Sequence, residues 1–428
     1  MNSYTKKVLP NGIRLILSPS QESQTAAIIV MFGAGSRYET PETNGMAHFL
    51  EHMFFQGTDK RPDDHDITKA LDGLGAEYNA FTGKDHTAYY VKVAHHKLPV
   101  AIDVLSDILL HSKFDEAELE KEKGVIVEEI NMYEDNPVMY IHDVFETKMF
   151  EGNSLGWEIA GSRDTVRAMN RKKLVDYYQQ QYRGDNTVIV VTGRFYDKME
   201  QLVTEAFATL PGKPAEYPFP PKFQFPVFNV NQTEPRVSVV HRDSEQAQLI
   251  LGFPAFSSLD KDEITGHVLA TILGGNMSSR LFIAIREKQS LAYSVRAGLS
   301  SFQDTGYFSV QAGLDKSRLE TAIKVIREEL DRVANEGVDE EELQRAKDYL
   351  IGRMSISLED TSSLANWYAE QETLLNRTLS PEQKFDLVRA VTKEQIQAVA
   401  KKLFDISKAT LAIIGPYKTD TQFYDLLK

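Results

Sequence analysis

Cysteine is absent from this chain of 428 residues. Without thiols there can be no disulfide, no thiolate metal site and no cysteine nucleophile, so any bound metal must be held by histidine and carboxylate side chains. Apolar runs are also short, since none reaches the roughly 18 residues that a membrane-spanning helix needs. Residues 1–12 contain two lysines but no apolar segment of the kind found in signal peptides. We therefore expect a soluble, unexported, cytoplasmic protein.

Positive charge is in the minority, with 48 Lys and Arg against 62 Asp and Glu and a formal net charge of -14. Proteins that cover phosphate backbones or anionic lipid concentrate Lys and Arg, so this balance argues against nucleic acid and membrane surfaces as partners. Hydrophobic residues make up 42% of the chain, which is enough for several hydrophobic cores. An ordinary globular protein of two or three domains is indicated.

Proline is concentrated in one stretch, because seven of the 16 prolines fall between Pro211 and Pro235. Such a segment, with few periodic apolar positions, is typical of an extended linker. We predict an N-terminal domain at residues 1–212, a linker at 213–235 and a C-terminal domain at 236–428.

Each half begins with strand-like alternation, continues with long helical patterns, and closes with a short strand and a helix. Helices are predicted at residues 42–55, 98–111 and 115–133 in the first half and at 260–273, 319–334 and 339–354 in the second. This repeated order predicts the α+β class. We expect two homologous, α/β-sandwich-like halves, each a mostly antiparallel sheet with helices packed on it.

The two halves also align residue by residue, but the second lacks the polar groups of the first. Placing His48 on His267, and aligning the two later acidic helices, gives these pairs: Glu51 on Ala270, His52 on Thr271, Glu122 on Ala346 and Glu129 on Arg353. Duplication followed by loss on one side is expected if the chemistry needs a single site and the second copy completes a binding chamber.

The segment HFLEH places two histidines, His48 and His52, four residues apart on a predicted helix. Residues at this spacing share a helical face, which suits two ligands of a tetrahedral zinc site. The same order of residues occurs in inverted zinc-peptidase motifs. Glu51 is the obvious general base, because a catalytic zinc keeps an open position for water and a carboxylate must take the proton of that water.

A third ligand should come from another helix, and the acidic run around residues 118–135 offers several glutamates. Glu122 and Glu129 are seven residues apart and share a face with Val125 and Ile126, the face that we expect to pack inward. Glu128 is rotated from Glu129 by about 100° and remains the alternative.

Four segments resemble the M16 peptidases, the family that includes pitrilysin, insulin-degrading enzyme and the mitochondrial processing peptidase. They are HFLEHMFFQGT from His48, NAFTGKDHTAYY from Asn79, the acidic helix ending in EEI at Ile130, and GGNMSSRLFIAIREKQSLAYSV from Gly274. The resemblance covers essentially the whole chain. Its length is similar to that of the small bacterial-type branch, so the chain would correspond to one half of a pitrilysin-type clamshell.

For the metal, the resemblance implies one Zn²⁺ per chain, with His48, His52 and Glu129 as its ligands. It also implies that Glu51 is the general base and that Glu122, two turns before Glu129, supports the site.

For the substrate, the resemblance implies two further groups of residues. Asn79, Ala80 and Phe81 would align an extended peptide, with Asn79 reaching the peptide backbone. Arg286 and Tyr293, in the half without zinc ligands, would bind a substrate carbonyl and stabilise the tetrahedral intermediate.

The function that these residues predict is a zinc endopeptidase acting on peptides or unfolded segments in a closed chamber. Because one chain carries both the zinc set and the Arg/Tyr pair, a self-sufficient homodimer is the expected assembly. The alternatives are a non-catalytic subunit of the same fold and a subunit of a hetero-oligomer that is active only with its partner.

Overall fold

The computed structural model describes residues 4–213, 225 and 227–428, and no helix in that part of the chain is long and apolar enough to cross a bilayer. Its strands, in chain order, are β1 (Thr5–Val8), β2 (Arg14–Pro19), β3 (Thr25–Phe32), β4 (Glu77–Thr82), β5 (Thr87–Ala94), β6 (Thr187–Gly193), β7 (Arg236–His241), β8 (Gln246–Ala255), β9 (Ala292–Ser301), β10 (Gly306–Asp315) and β11 (Thr410–Gly415).

Its α-helices are α1 (Met46–Met53), α2 (Asp64–Asp72), α3 (Leu98–His111), α4 (Glu116–Asp135), α5 (Pro137–Met149), α6 (Arg163–Arg167), α7 (Arg171–Gln181), α8 (Met199–Ala206), α9 (Glu263–Gly274), α10 (Leu319–Glu336), α11 (Glu340–Ser357), α12 (Thr361–Leu375), α13 (Pro381–Arg389), α14 (Lys393–Leu403) and α15 (Thr421–Tyr424). A π-helical segment, Phe282–Lys288, precedes β9.

The chain forms two compact units, each assembled from three stretches of sequence. The first comprises the described parts of Met1–Ile130, Trp157–Phe225 and Ser355–Glu382, and the second comprises those of Asn131–Gly156, Pro226–Met354 and Gln383–Lys428. Each unit therefore takes most of its residues from one half of the sequence and a shorter piece from the other. The domain boundaries at residues 212 and 236 stay a prediction, and positions 214–224 and 226 of the expected linker lie outside the described residues.

The sheet of the first unit has the strand order β1-β2-β6-β3-β5-β4. Only β2 and β6 run parallel, and all other neighbours are antiparallel. Central β3 is apolar on both faces, as expected for a strand covered by helices on either side. Ile28 and Val30 face the larger core under α1 and α3, whereas Ile29 and Met31 face α12. Strand β4 is left at the edge.

The sheet of the second unit has the order β7-β11-β8-β10-β9, which repeats β2-β6-β3-β5-β4 strand for strand. Its one parallel pair, β7 with β11, stands where β2 and β6 stand in the first sheet. The predicted α+β class, with two homologous halves and mostly antiparallel sheets, is confirmed.

Two helices are exchanged between the units. Each one comes from one half of the sequence but packs on the sheet formed by the other half. Helix α12 comes after β7 to β10 along the chain, yet it covers β3 and β6 of the first sheet. Helix α5 precedes the predicted linker, yet it covers β7, β8 and β11 of the second sheet. The α5 contact is close, because a Cβ atom at Gly252 would lie 2.4 Å from the Phe145 ring.

The predicted helices agree with the observed ones to within a few residues. The pattern at residues 98–111 coincides with α3, and that at 115–133 is close to α4. The pattern at 42–55 starts too early, because Gly45 has a φ of 94° and the helix begins only at Met46. A side chain at Gly45 would also meet the backbone oxygen of Ala160 at 2.5 Å.

A buried charge cluster attaches α12 to the first two strands. Glu372 is fully buried, accepts a hydrogen bond from Lys6 at 2.8 Å, and lies 3.5 Å from the Arg14 guanidinium. Arg14 also donates to the backbone oxygen of Glu372 at 2.8 Å. Removing one partner of such a cluster leaves a buried charge incompletely compensated.

We expect Lys6→Met to lower the free energy of unfolding by about 2 kcal/mol, less than the usual cost of breaking a buried pair because Arg14 remains beside Glu372. Lys7→Met is the matched control, since the neighbouring Lys7 pairs with Glu200 on the exposed side. Thermal unfolding followed by circular dichroism would compare the two variants. Equal melting temperatures would show that the Glu372 cluster does not attach α12.

Candidate metal centre

Helix α1 is held at its first turn by a carboxylate from outside the helix. Both oxygens of Glu39 accept backbone hydrogen bonds, from Gly45 N–H at 2.8 Å and from Ala47 N–H at 2.7 Å, and Asn44 donates to the same group. These donors are among the N–H groups that a helix leaves unpaired at its start. Burial raises the pKa of Glu39 to about 8, against the lowering effect of the hydrogen bonds. The sequence analysis did not find Glu39. A capping residue normally stands directly before its helix, as Gly45 does here, whereas Glu39 lies further back in the sequence.

One side of α1 is apolar and buried, while the other carries the polar side chains of the HFLEH segment. Phe49, Leu50 and Met53 are fully buried in the first core. The His48 and His52 rings lie on the polar side with their centroids 4.7 Å apart. Their side chains are 13% and 23% exposed, so both are reachable from solvent but largely removed from it.

Helix α4 brings Glu129 to these imidazoles. Glu129 Oε2 lies 3.5 Å from His48 Nε2 and 3.5 Å from His52 Nε2. Two ligands that each bind a tetrahedral zinc at about 2.0–2.1 Å are about 3.3–3.4 Å apart. The observed 3.5 Å between Glu129 Oε2 and each imidazole nitrogen is therefore close to the separation of two ligands of one zinc ion.

An unpaired oxygen also favours a cation at this position. Glu129 Oε2 is buried and has no hydrogen-bond partner among the described residues. A buried carboxylate oxygen without a donor is costly, and a metal ion would satisfy it. His48, His52 and Glu129 form the one group of potential metal ligands found in the described part of the chain. The site thus fits the zinc ligand set that the family resemblance implies.

Glu122 contacts the outer nitrogen of one of these imidazoles. Its Oε2 lies 3.1 Å from His52 Nδ1, and its Oε1 accepts a hydrogen bond from Gln56 Nε2 at 3.1 Å. A carboxylate at Nδ1 makes that nitrogen the donor and leaves Nε2 to face the metal position. The structure therefore places Glu122 at the outer nitrogen of His52, one of the candidate ligands. Gln56, which the sequence analysis missed, holds the second oxygen of Glu122.

The neighbouring glutamate points elsewhere. Glu128 is exposed and belongs to none of the ligand contacts, whereas Glu122 is buried. One expectation about this face was wrong, because Val125 is 46% exposed and only Ile126 packs into the core. At 100° per residue, Glu129 lies within about 20° of Glu122 around the helix, whereas Val125 lies about 60° away. The inward face of α4 is therefore narrower than the sequence analysis assumed.

Burial and neighbouring charges set the protonation of the three donor groups. Burial and the adjacent His52 together lower the pKa of His48 to about 4, against the raising effect of Glu129. Burial also lowers the pKa of His52, but the hydrogen bond with Glu122 and the interaction with Glu129 outweigh it and raise the value to about 9. The interaction with His52 lowers the pKa of Glu129. Carboxylates thus surround the His52 ring, and His48 is neutral.

Glu51 lies between the two histidines in the sequence of α1, and its side chain is directed toward the edge strand β4. Burial raises the pKa of Glu51, and a hydrogen bond from Thr82 opposes this effect. The Thr82 hydroxyl donates to Glu51 Oε2 at 2.5 Å. The sequence analysis missed Thr82, because this contact depends on α1 packing against β4.

Strand β4 carries the three residues predicted to align substrate, and their side chains divide between its two faces. Ala80 belongs to the core under α1, whereas Phe81 packs on the opposite face with the α12 residues. Asn79 is exposed, and its side-chain oxygen accepts a hydrogen bond from Ala80 N–H at 2.9 Å. This alternation is a direct consequence of the two-residue period of a strand.

Arg286 and Tyr293 lie in the second unit, and both are exposed. Arg286 belongs to the π-helical segment before β9, with its guanidinium 5.0 Å from the centroid of the Phe282 ring. Tyr293 is the second residue of β9 and is 71% exposed. His267 on α9, the counterpart of His48, pairs with Glu263 at 3.0 Å.

Two family models match the chain. A model of the insulinase family, peptidase family M16, matches residues 14–163, and one described as the peptidase M16 inactive domain matches residues 168–350. An uncharacterized zinc protease of Streptomyces coelicolor is 37% identical over 98% of this chain and 91% of its own length. The uncharacterized zinc protease YmxG of Bacillus subtilis is 36% identical over 95% of this chain and 97% of its own length.

Solved structures show the same fold. A protease from Helicobacter pylori has a TM-score of 0.88 at 21% identity and covers 97% of this chain and 100% of its own. A peptidase M16 inactive domain from Pseudomonas fluorescens has a TM-score of 0.87 at 18% identity and covers 98% and 99%. The fold is thus one that solved proteases have. The two family models, together with relatives that match nearly the whole chain, show that the chain belongs to peptidase family M16.

We expect Glu129→Gln to lower zinc occupancy strongly and Glu128→Gln to leave it nearly unchanged, because only Glu129 faces the imidazoles. Zinc content after dialysis against a weak chelator, measured by atomic emission on folded protein, would compare the two. Equal losses, or a larger loss in Glu128→Gln, would contradict the ligand set.

Proposed function

We propose that this protein is a zinc-dependent endopeptidase that hydrolyses peptides or unfolded polypeptide segments. The observation that carries this proposal is that His48 and His52 of α1 converge with Glu129 of α4. A half-buried carboxylate, Glu51, lies between the two histidines in the sequence of α1. The names of the relatives support it, since several are zinc proteases over nearly their full length. The metal ligands and the base would then belong to the first unit.

His48 Nε2, His52 Nε2 and Glu129 Oε2 would hold the zinc, with Glu122 keeping the His52 ring in place. When bound, zinc would polarise the scissile carbonyl and make a water molecule more acidic. Three protein ligands leave a fourth position for that water or the substrate, as in other catalytic zinc sites.

Glu51 would accept the proton of the attacking water and return it to the leaving amine. A general base must lie within hydrogen-bond reach of that water, and Glu51 is on the helical turn that bears both imidazoles. Its Oε2 is already held by Thr82, so Oε1 would be the oxygen that accepts from water. Partial burial would strengthen this interaction by excluding bulk solvent.

The substrate would add as a strand to the free edge of β4. Gly83 N–H donates to the backbone oxygen of His86, its partner on the other side of the hairpin. In an antiparallel ladder every second residue forms such a pair, and the residues between them direct their backbone groups to the other side. The backbone groups of Tyr78, Ala80 and Thr82 therefore point away from β5. No described strand pairs with that edge. A peptide backbone could pair there, with affinity from main-chain hydrogen bonds and little dependence on sequence.

This geometry assigns different roles to the three aligning residues. Ala80 would contribute its backbone, and Asn79 would contribute its side chain. When a peptide pairs with Ala80, the hydrogen bond from Ala80 N–H to the Asn79 side chain would break, and that side chain could then bind the peptide. The Phe81 backbone is directed to β5, and its side chain packs toward α12, so Phe81 would fix the strand rather than touch the peptide backbone.

We further propose that the working assembly is a homodimer in which Arg286 and Tyr293 of a second copy bind the substrate carbonyl. Both side chains are exposed, and no group of potential metal ligands was found among the described residues of their unit, so they are open to contact with a substrate. An Arg and a phenol are suitable donors for the oxygen that becomes negatively charged during attack. A partner-dependent or non-catalytic subunit is the alternative, and the lone chain would then be inactive.

Glu51→Gln should reduce kcat by at least about 10²-fold while zinc content stays at the wild-type level, because an amide cannot accept the proton but the three ligands remain. The assay is digestion of a mixed peptide library by the isolated protein with and without a chelator, read by mass spectrometry. Glu42→Gln, at an exposed position shortly before α1, is the matched control. A parallel loss of zinc and activity would make Glu51 a ligand and contradict the role of general base.

Mixing Glu51→Gln chains with Arg286→Ala,Tyr293→Phe chains tests the dimer. If the groups act between copies, each mixed dimer contains one intact site, and two inactive preparations should regain up to about a quarter of wild-type activity. Co-refolded protein would be checked for mixed dimers by differential tagging before the peptide assay. Mixed dimers that stay inactive would rule out action of Arg286 and Tyr293 between copies.

A further inference from the structure

We propose that Thr82 is a positioning residue that ties the orientation of Glu51 to the pairing of substrate with β4. This inference rests on the proposed function, because it assigns Glu51 as the base and the β4 edge as the substrate strand. Thr82 is the last residue of β4, and its side chain and its backbone serve these two groups separately.

The side chain of Thr82 acts on Glu51. Its hydroxyl donates to Glu51 Oε2 at 2.5 Å, within the range of hydrogen bonds from a hydroxyl to a charged carboxylate, about 2.5–2.7 Å. Thr is restricted at χ1 by its branched Cβ, so the strand backbone largely determines where the hydroxyl points. A carboxylate on a short helix is thereby fixed to a neighbouring sheet.

The hairpin around Thr82 is itself well anchored. Thr82 stands opposite Thr87 in the ladder, and the Thr87 hydroxyl donates to Ala34 O at 2.8 Å. Behind this pair, the buried hydroxyls of Tyr89 and Tyr182 lie 2.9 Å apart. The Thr87 hydroxyl also lies 3.5 Å from the Thr82 hydroxyl, so the Thr82 side chain adjoins these buried polar contacts.

The backbone of Thr82 faces the opposite way, toward the free edge. Because Gly83 and His86 form the hydrogen-bonded pair, Thr82 and Thr87 form the next, non-hydrogen-bonded pair. The N–H and C=O groups of Thr82 are therefore available to an added strand. A peptide that pairs with Thr82 is placed by the same residue that aims the base, so an error in strand register would also misplace the scissile bond relative to Glu51.

The test compares Thr82→Val, which keeps the shape and removes the donor, with Thr82→Ser, which keeps the hydroxyl. We expect Thr82→Val to lower kcat about 10- to 100-fold, the effect of one hydrogen bond to a charged group, with KM changed less than about twofold. Thr82→Ser should recover most of the loss. Zinc content should equal that of the wild type in both, because Thr82 touches no ligand.

Thr192→Val is the matched control for stability, since the buried Thr192 on β6 donates to the backbone of Thr361 on the α12 face. It should lower the melting temperature without lowering kcat. Wild-type kcat in Thr82→Val, or a Thr82→Ser variant as slow as Thr82→Val, would overturn the proposal. Loss of zinc in Thr82→Val would do the same, because it would show a general disturbance of the site.

A structural readout separates this inference from the proposed function. Crystal structures of the wild type and Thr82→Val should show one Glu51 rotamer in the first and more than one in the second, whether or not peptides are cleaved. An unchanged single rotamer would overturn the positioning role. Failure of the wild type to cleave any peptide would instead contradict the proposed function.

Discussion

Burial of helix α1 is the constraint on which the candidate site depends. The helix places Phe49, Leu50 and Met53 in the core, so His48, Glu51 and His52 on its other side are removed from most of the solvent with it. Polar groups in that position are unfavourable unless they are paired.

The neighbouring elements supply those partners from three directions. Helix α4 provides Glu122 and Glu129 for the imidazoles, strand β4 provides Thr82 for Glu51, and Glu39 pairs with the N–H groups of the first turn. Among the described residues Glu129 Oε2 has no hydrogen-bond partner, and it lies 3.5 Å from the Nε2 atoms of both His48 and His52. The polar side chains thus bring one carboxylate oxygen beside two imidazole nitrogens, a set of donors that suits a metal ion.

The second unit shows what the same architecture does without such groups. Its sheet repeats the strand order of the first, and α9 stands in the place of α1. Ala270 and Thr271 are buried there instead of Glu51 and His52, so that helix needs no acidic partner. The aligned position of Glu122 is the buried Ala346, and that of Glu129 is the exposed Arg353. The second unit thus forms the same sheet without these side chains, so the fold by itself does not require the polar set of the first unit.

The sequence by itself determined the α+β class, the internal repeat and the histidine pair at the centre of the candidate site. These features depend on short-range patterns: the short apolar runs of β3 and β8, two histidines one turn apart, and two glutamates two turns apart. Resemblance to the family selected Glu129 over Glu128, which spacing alone left open. Only the tertiary structure decided the contacts of residues distant in sequence. The pairing of Thr82 with Glu51, the attachment of α12 through Glu372, and the exposure of Val125 all depend on which elements pack together. No local pattern contains that information, because packing is set by the complementarity of whole surfaces.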